Sequence, residues 1–124
     1  MSITLNAFRD YKYDEESESI KYIGNESIDL CASTWVHKLY PILEKASELT
    51  GGDISINTYD IFDHAHLAKA RKLKLVKPED MVIALEMAKD YYSKLDNTDE
   101  DDYIGFIERI LLPRAKKGLY FTSD

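Results

Sequence analysis

The stretch KPEDMVIALEMAKDYYSKL, residues 77–95, is the one on which the fold turns. Pro78 stands where a first helical turn has no use for an amide, and Glu79 and Asp80 follow beside the unpaired N–H groups of that turn. Met81, Leu85, Ala88, Tyr92 and Leu95 then recur every three or four residues, which places them on one apolar helical face. That face must be buried against neighbouring segments, and the segments on both sides read as helices.

On the N-terminal side, Ile61, Phe62, Ala65, Ala68 and Leu73 outline a helix from about Thr58 to Lys74. Its last turns are rich in lysine and arginine, as the negative end of a helix dipole favours. Further back, Cys31, Trp35, Leu39, Ile42, Ala46 and Leu49 form an apolar stripe over residues 30–50, closed by ThrGlyGly at 50–52. Pro41 interrupts it, so the helix either kinks or starts afresh there. On the C-terminal side, Thr98 and Asp101 have the offset of a capping box. Tyr103, Ile107, Ile110 and Leu111 supply the stripe of the helix that follows, which Pro113 ends or bends.

The first 29 residues have a different rhythm. ITL at 3–5, YKY at 11–13 and SIKYI at 19–23 alternate apolar or aromatic with polar side chains. They read either as a hairpin packed on the helices or as an irregular acidic arm. LYF at 119–121 is too short a run to assign. The expected fold is mainly α, a single-domain four- or five-helix bundle over residues 1–124, with residues 1–29 as a short N-terminal β-hairpin or irregular arm.

Composition sets the outer limits. The 124 residues suffice for one hydrophobic core, with 44% hydrophobic and 31% charged residues. Cys31 is the single cysteine, so no internal disulfide can form, and its place on the apolar stripe predicts a buried thiol. The polar start and the lack of a long apolar run predict neither a signal peptide nor a membrane span, and a cytoplasmic location. The net charge of −7 is uneven. Residues 1–29 carry seven acids and three bases (−4), residues 78–97 five acids and two bases (−3), and residues 58–77 five bases and two acids (+3). Such a chain repels nucleic acid over most of its surface and suits a basic protein partner.

Chemistry-bearing motifs are few. The glycines form no phosphate loop, Cys31 lacks the cysteine–histidine spacing of a zinc site, and the acids at 99–102 lack the order of a calcium loop, so no cofactor is expected. On a helix, His64 and His66 point about 200° apart and cannot share a metal. Asp60 and His64 stand one turn apart, and the carboxylate could orient His64 as a general base, although no nucleophile or second carboxylate accompanies them. His37 reads as a partly buried amphipathic residue, and His66 shares a face with Tyr59, Phe62 and Leu73.

Tyr91, Tyr92 and Tyr103 stand out beside Asp90, Asp96 and the acids at 99–102. Helical geometry puts Tyr92 in the apolar stripe, Tyr91 at its edge and Asp90 away from it. Tyrosine brings a large rigid surface with a hydroxyl, and the acids would attract a partner's lysine or arginine. DYY at 90–92 followed by acids resembles the tyrosine pair and acidic helical surface of the colicin-nuclease immunity proteins, with Asp90 and Tyr91 as the matching positions. The resemblance covers only this short region. It implies a small bundle that neutralises a basic toxin. The leading expectation is therefore a protein-binding inhibitor whose partner-binding residues are Asp90, Tyr91, Glu100, Asp101, Asp102 and Tyr103. The alternatives are a metal-independent hydrolase or lyase using Asp60 and His64, and a structural adaptor or homo-oligomer without catalytic activity.

Overall fold

In a computed structural model of the chain, the residues described are 2–14, 16, 19–52, 54, 56, 75–95 and 101–123. They form a mainly helical domain that also contains two small antiparallel sheets. The strands are β1 (Ser2–Phe8), β2 (Asp10–Asp14), β3 (Ser19–Ile23), β4 (Ile28–Cys31) and β5 (Tyr120–Ser123). The helices are α1 (residues 32–50), α2 (Pro78–Ser93) and α3 (residues 101–116). The expected helix from Thr58 to Lys74 lies outside the described residues.

The alternating N-terminal segment takes the hairpin form and goes beyond it. β2 pairs with β3, while β1 pairs with β4 in the register Ser2 to Cys31 through Leu5 to Ile28. Between the two ladders the chain bends at Arg9, whose N–H donates to the Ile23 carbonyl, and Glu26 N–H donates to Ala7. Tyr120 and Phe121 of LYF begin β5, which pairs with the other edge of β1 so that β1 is the central strand of the order β4–β1–β5.

The two-residue period of β1 separates two environments. Leu5 and Ala7, with Phe121 opposite Ala7, join the helical core. Asn6 and Phe8 face the other way, opposite Thr122 and Tyr120. There Phe8 stacks on Tyr22 with ring centroids 4.4 Å apart, and Asn6 Nδ2 donates to Thr122 Oγ1 at 3.3 Å. Thr122 Oγ1 in turn donates to the Tyr22 hydroxyl at 3.0 Å, and Ser27 Oγ donates to Asn6 Oδ1 at 2.8 Å. This polar chain ties β1, β3, β5 and the bend at Ser27 together behind the sheet.

The core proper lies between the sheet and the helices. Leu39, Ile42 and Ala46 of α1 meet Met81, Ala84, Leu85, Ala88 and Tyr92 of α2, with Phe106, Ile107, Leu111, Leu112 and Ala115 of α3. Most of the stripe expected on α2 is buried. Leu95 is the exception at 39% exposure, because α2 ends at Ser93 and Leu95 lies past its last turn.

The two interior prolines neither break nor restart their helices. A helical proline cannot donate to the carbonyl four residues back, and its ring crowds that carbonyl. Both helices answer with a wider π turn just before the ring. In α1 the π turn is Trp35–Leu39, closed by Tyr40 N–H on Trp35 O, and Pro41 follows. In α3 it is Ile107–Leu111, closed by Leu112 N–H on Ile107 O, and Pro113 follows. The ends are glycine caps. Gly51 has φ 71° and donates to Ser47 O, while Gly118 has φ 84° and turns α3 into β5.

Candidate functional site

Charged and aromatic groups come together in a groove of about 320 Å³ where α1, α2 and the start of α3 meet. Tyr91 and Tyr92 reach it from α2, Tyr103 from α3, and Glu44, Lys45 and Glu48 from α1, with Pro41 and Leu95 completing the lining. Each group is there for a local reason. Tyr92 is on the buried stripe of α2, 5% exposed, and its hydroxyl donates to Pro41 O over 3.4 Å. Tyr91, one residue earlier and about 100° around the helix, is half-buried at the stripe's edge. Glu44 and Glu48 are one turn apart on the polar border of α1, beside the stripe of Ile42 and Ala46.

The three tyrosines form one aromatic cluster. Tyr91 meets Tyr92 edge-on with centroids 5.3 Å apart, and Tyr92 lies against Tyr103 at 4.9 Å. Both separations are in the range where aromatic pairs attract. Lys45 Nζ sits over the face of Tyr91, 4.4 Å from the ring centroid, and bonds Glu48 Oε2 at 3.1 Å. The hydrogen bond to Glu48 is the main cause that holds the Lys45 pKa above its usual value, so this ammonium stays charged. Its side chain is only 22% exposed, while that of Glu48 is 68% exposed. The groove therefore has two carboxylates against one ammonium, set beside three aromatic rings.

Of the residues expected from sequence to contact a partner, Tyr91 and Tyr103 come together here. Asp90 is exposed on the outer face of α2 and pairs with Lys94 at 2.9 Å. Asp101 and Asp102 open α3, while Glu100 lies outside the described residues, as do Asp60 and His64. Glu44, Lys45 and Glu48 were not singled out from sequence. The signal was present, since all three border the apolar stripe of residues 30–50, but only the meeting of α1 with α2 puts them on one groove with the tyrosines.

Two further expectations are corrected. Cys31 is exposed rather than buried, because β4 ends there and the residue caps α1 instead of joining its apolar face. Its sulfur lies 3.2 Å from Ser33 Oγ and 3.0 Å from Thr34 Oγ1, and hydrogen bonds from these hydroxyls, Ser33 first, lower the thiol pKa to about 7. His37 is exposed, not partly buried, because it lies on the outer side of the π turn. Among the described residues no three histidine, cysteine, aspartate or glutamate side chains gather as metal ligands, and no helix is long and apolar enough to cross a membrane.

No protein-family model, curated protein or solved structure matches this chain. The two sheets also separate it from the all-helical bundle that the likeness to immunity proteins implies.

Proposed function

We propose that this chain is a small acidic inhibitor that binds a basic partner protein, such as a toxin or nuclease domain, in the manner of an immunity protein, and performs no chemistry of its own. The observation that carries the reading is the tyrosine groove with its carboxylates. Aromatic side chains that are rigid and partly exposed make strong anchors, and a surrounding negative field speeds the approach of a cationic surface. Tyr91 and Tyr103 are the anchors, and Asp90, Glu100, Asp101 and Asp102 supply the steering charge. Glu44 and Glu48 add the acidic border of the groove itself. The overall charge of −7 further disfavours a nucleic-acid ligand.

The test is capture from the native host's lysate at low salt, followed by an activity assay of the captured protein. A basic protein held in stoichiometric amount, whose activity falls as this chain is added and recovers with a Glu44→Lys, Glu48→Lys double variant, is the expected result. A captured partner that remains fully active at saturation would sink the inhibitor reading.

A further inference from the structure

The groove already holds a cation, and it is one of the protein's own. Lys45 leans its stem into the groove, places its ammonium over Tyr91 and neutralises Glu48. An ammonium over a tyrosine face is the arrangement by which aromatic sites take up cationic ligands. We propose that the groove is a receptor for an arginine side chain of a basic partner, and that Lys45 fills the cation's place until the partner arrives. The inference rests on the inhibitor reading above and names the group that the site would receive.

Three features point to arginine. The face of Tyr91 beneath Lys45 is flat, and a planar guanidinium stacks on such a face while an ammonium meets it only as a point charge. Glu44 and Glu48 stand one helical turn apart on the same border, so a guanidinium lying on the ring has carboxylate acceptors on that side for its in-plane N–H donors. Guanidinium is also the more weakly hydrated of the two cations, so it loses less on leaving water. Lys45 opposes the incoming charge by like-charge repulsion and by covering the ring. Its flexible four-carbon stem lets the ammonium swing outward, leaving Tyr91 and Glu48 to the arginine.

A charge-matched control lies elsewhere on the molecule. Lys117 pairs with Glu26 at 3.0 Å, joining α3 to the bend before β4. Lys117→Met and Glu26→Gln thus alter net charge just as Lys45→Met and Glu48→Gln do. The experiment is an NMR titration of the full chain with acetyl-tetra-arginine-amide at low salt, and with the tetra-lysine peptide in parallel. Tetra-arginine should shift the Tyr91 and Tyr103 ring signals and bind more tightly than tetra-lysine. Lys45→Met should tighten binding about fivefold beyond Lys117→Met, and Glu48→Gln should weaken it by a similar factor beyond Glu26→Gln.

The proposal is overturned if Lys45→Met tightens binding no more than Lys117→Met, if tetra-lysine binds as well as tetra-arginine, or if the perturbed signals lie away from the tyrosines. Absence of binding to both wild type and Lys45→Met at millimolar peptide overturns it as well. None of these outcomes touches the inhibition assay, which fails or succeeds on the captured partner's own activity.

Discussion

Tyr91 and Tyr92 are neighbours in sequence with separable tasks. Tyr92 is buried within the core formed by α1, α2 and α3, whereas Tyr91 keeps a face toward the groove. Tyr92→Ala should therefore cost about 3–5 kcal/mol of stability, the usual loss for a large buried ring. Tyr92→Phe should cost much less, because it keeps the buried ring and removes the hydroxyl, whose bond to Pro41 O is long at 3.4 Å. Urea unfolding of the two variants separates these values, and equal losses would show that the hydroxyl, not the ring, matters. Cys31 gives a second test at this scale. A thiol lowered from 9.0 to about 7 is half thiolate near neutrality, so its alkylation rate should reach half its plateau there. Replacing both Ser33 and Thr34 by alanine removes the hydroxyl donors, and the midpoint should move upward toward the ordinary thiol value. A pH series of iodoacetamide rates reads it, and an unmoved midpoint would assign the shift to another source. The burial of Tyr92 was legible from its place in the α2 stripe. The exposure of Cys31 was not, because its spacing to Trp35 fits a helix that begins only one residue later.

At the scale of elements, the C-terminal strand has an importance that its length conceals. β5 pairs with β1 and sends Phe121 into the core beside Leu119, the residue just before it, and its Ser123 N–H donates to Ile56 O. Its Thr122 sits on the opposite face, fully buried, between Asn6 and Tyr22. Ending the chain after Gly118 removes two buried large side chains, at about 2–5 kcal/mol each, against a typical total stability of about 5–15 kcal/mol. Such a truncation should lose the cooperative thermal transition seen by circular dichroism. Retention of a sharp transition would mean that β5 is an accessory edge. The α2 helix was readable from its proline, acids and stripe because each of those signals is local. The π turns were not, since periodicity marks Pro41 and Pro113 as disturbances without saying how the backbone absorbs them. The choice between a kink, a restart and a widened turn depends on the packing of Leu39 and Leu111, which a continuous helix keeps in the core.

Across the whole molecule, the proposed inhibitor role assigns the approach of a partner to charge and its retention to the groove. The inhibitor reading expects an association rate with the captured partner that falls steeply between about 20 mM and 500 mM salt, as screening shortens the reach of the acidic surface. Dissociation should change much less. Stopped-flow rates that stay flat over that range would remove the steering role of the acids. Net charge, the helical character of residues 77–95 and the alternation of residues 1–29 follow from composition and local periodicity, which act over a few residues of chain. Bringing β5 back to β1 is a different matter. Asn6 and Thr122 meet across 116 positions, and Tyr92 and Pro41 across 51. Nothing in the spacing near either residue specifies such a partner, since the meeting arises when distant apolar faces are buried together. That burial sets β1 and β5 against the expected helices and places Lys45 over Tyr91.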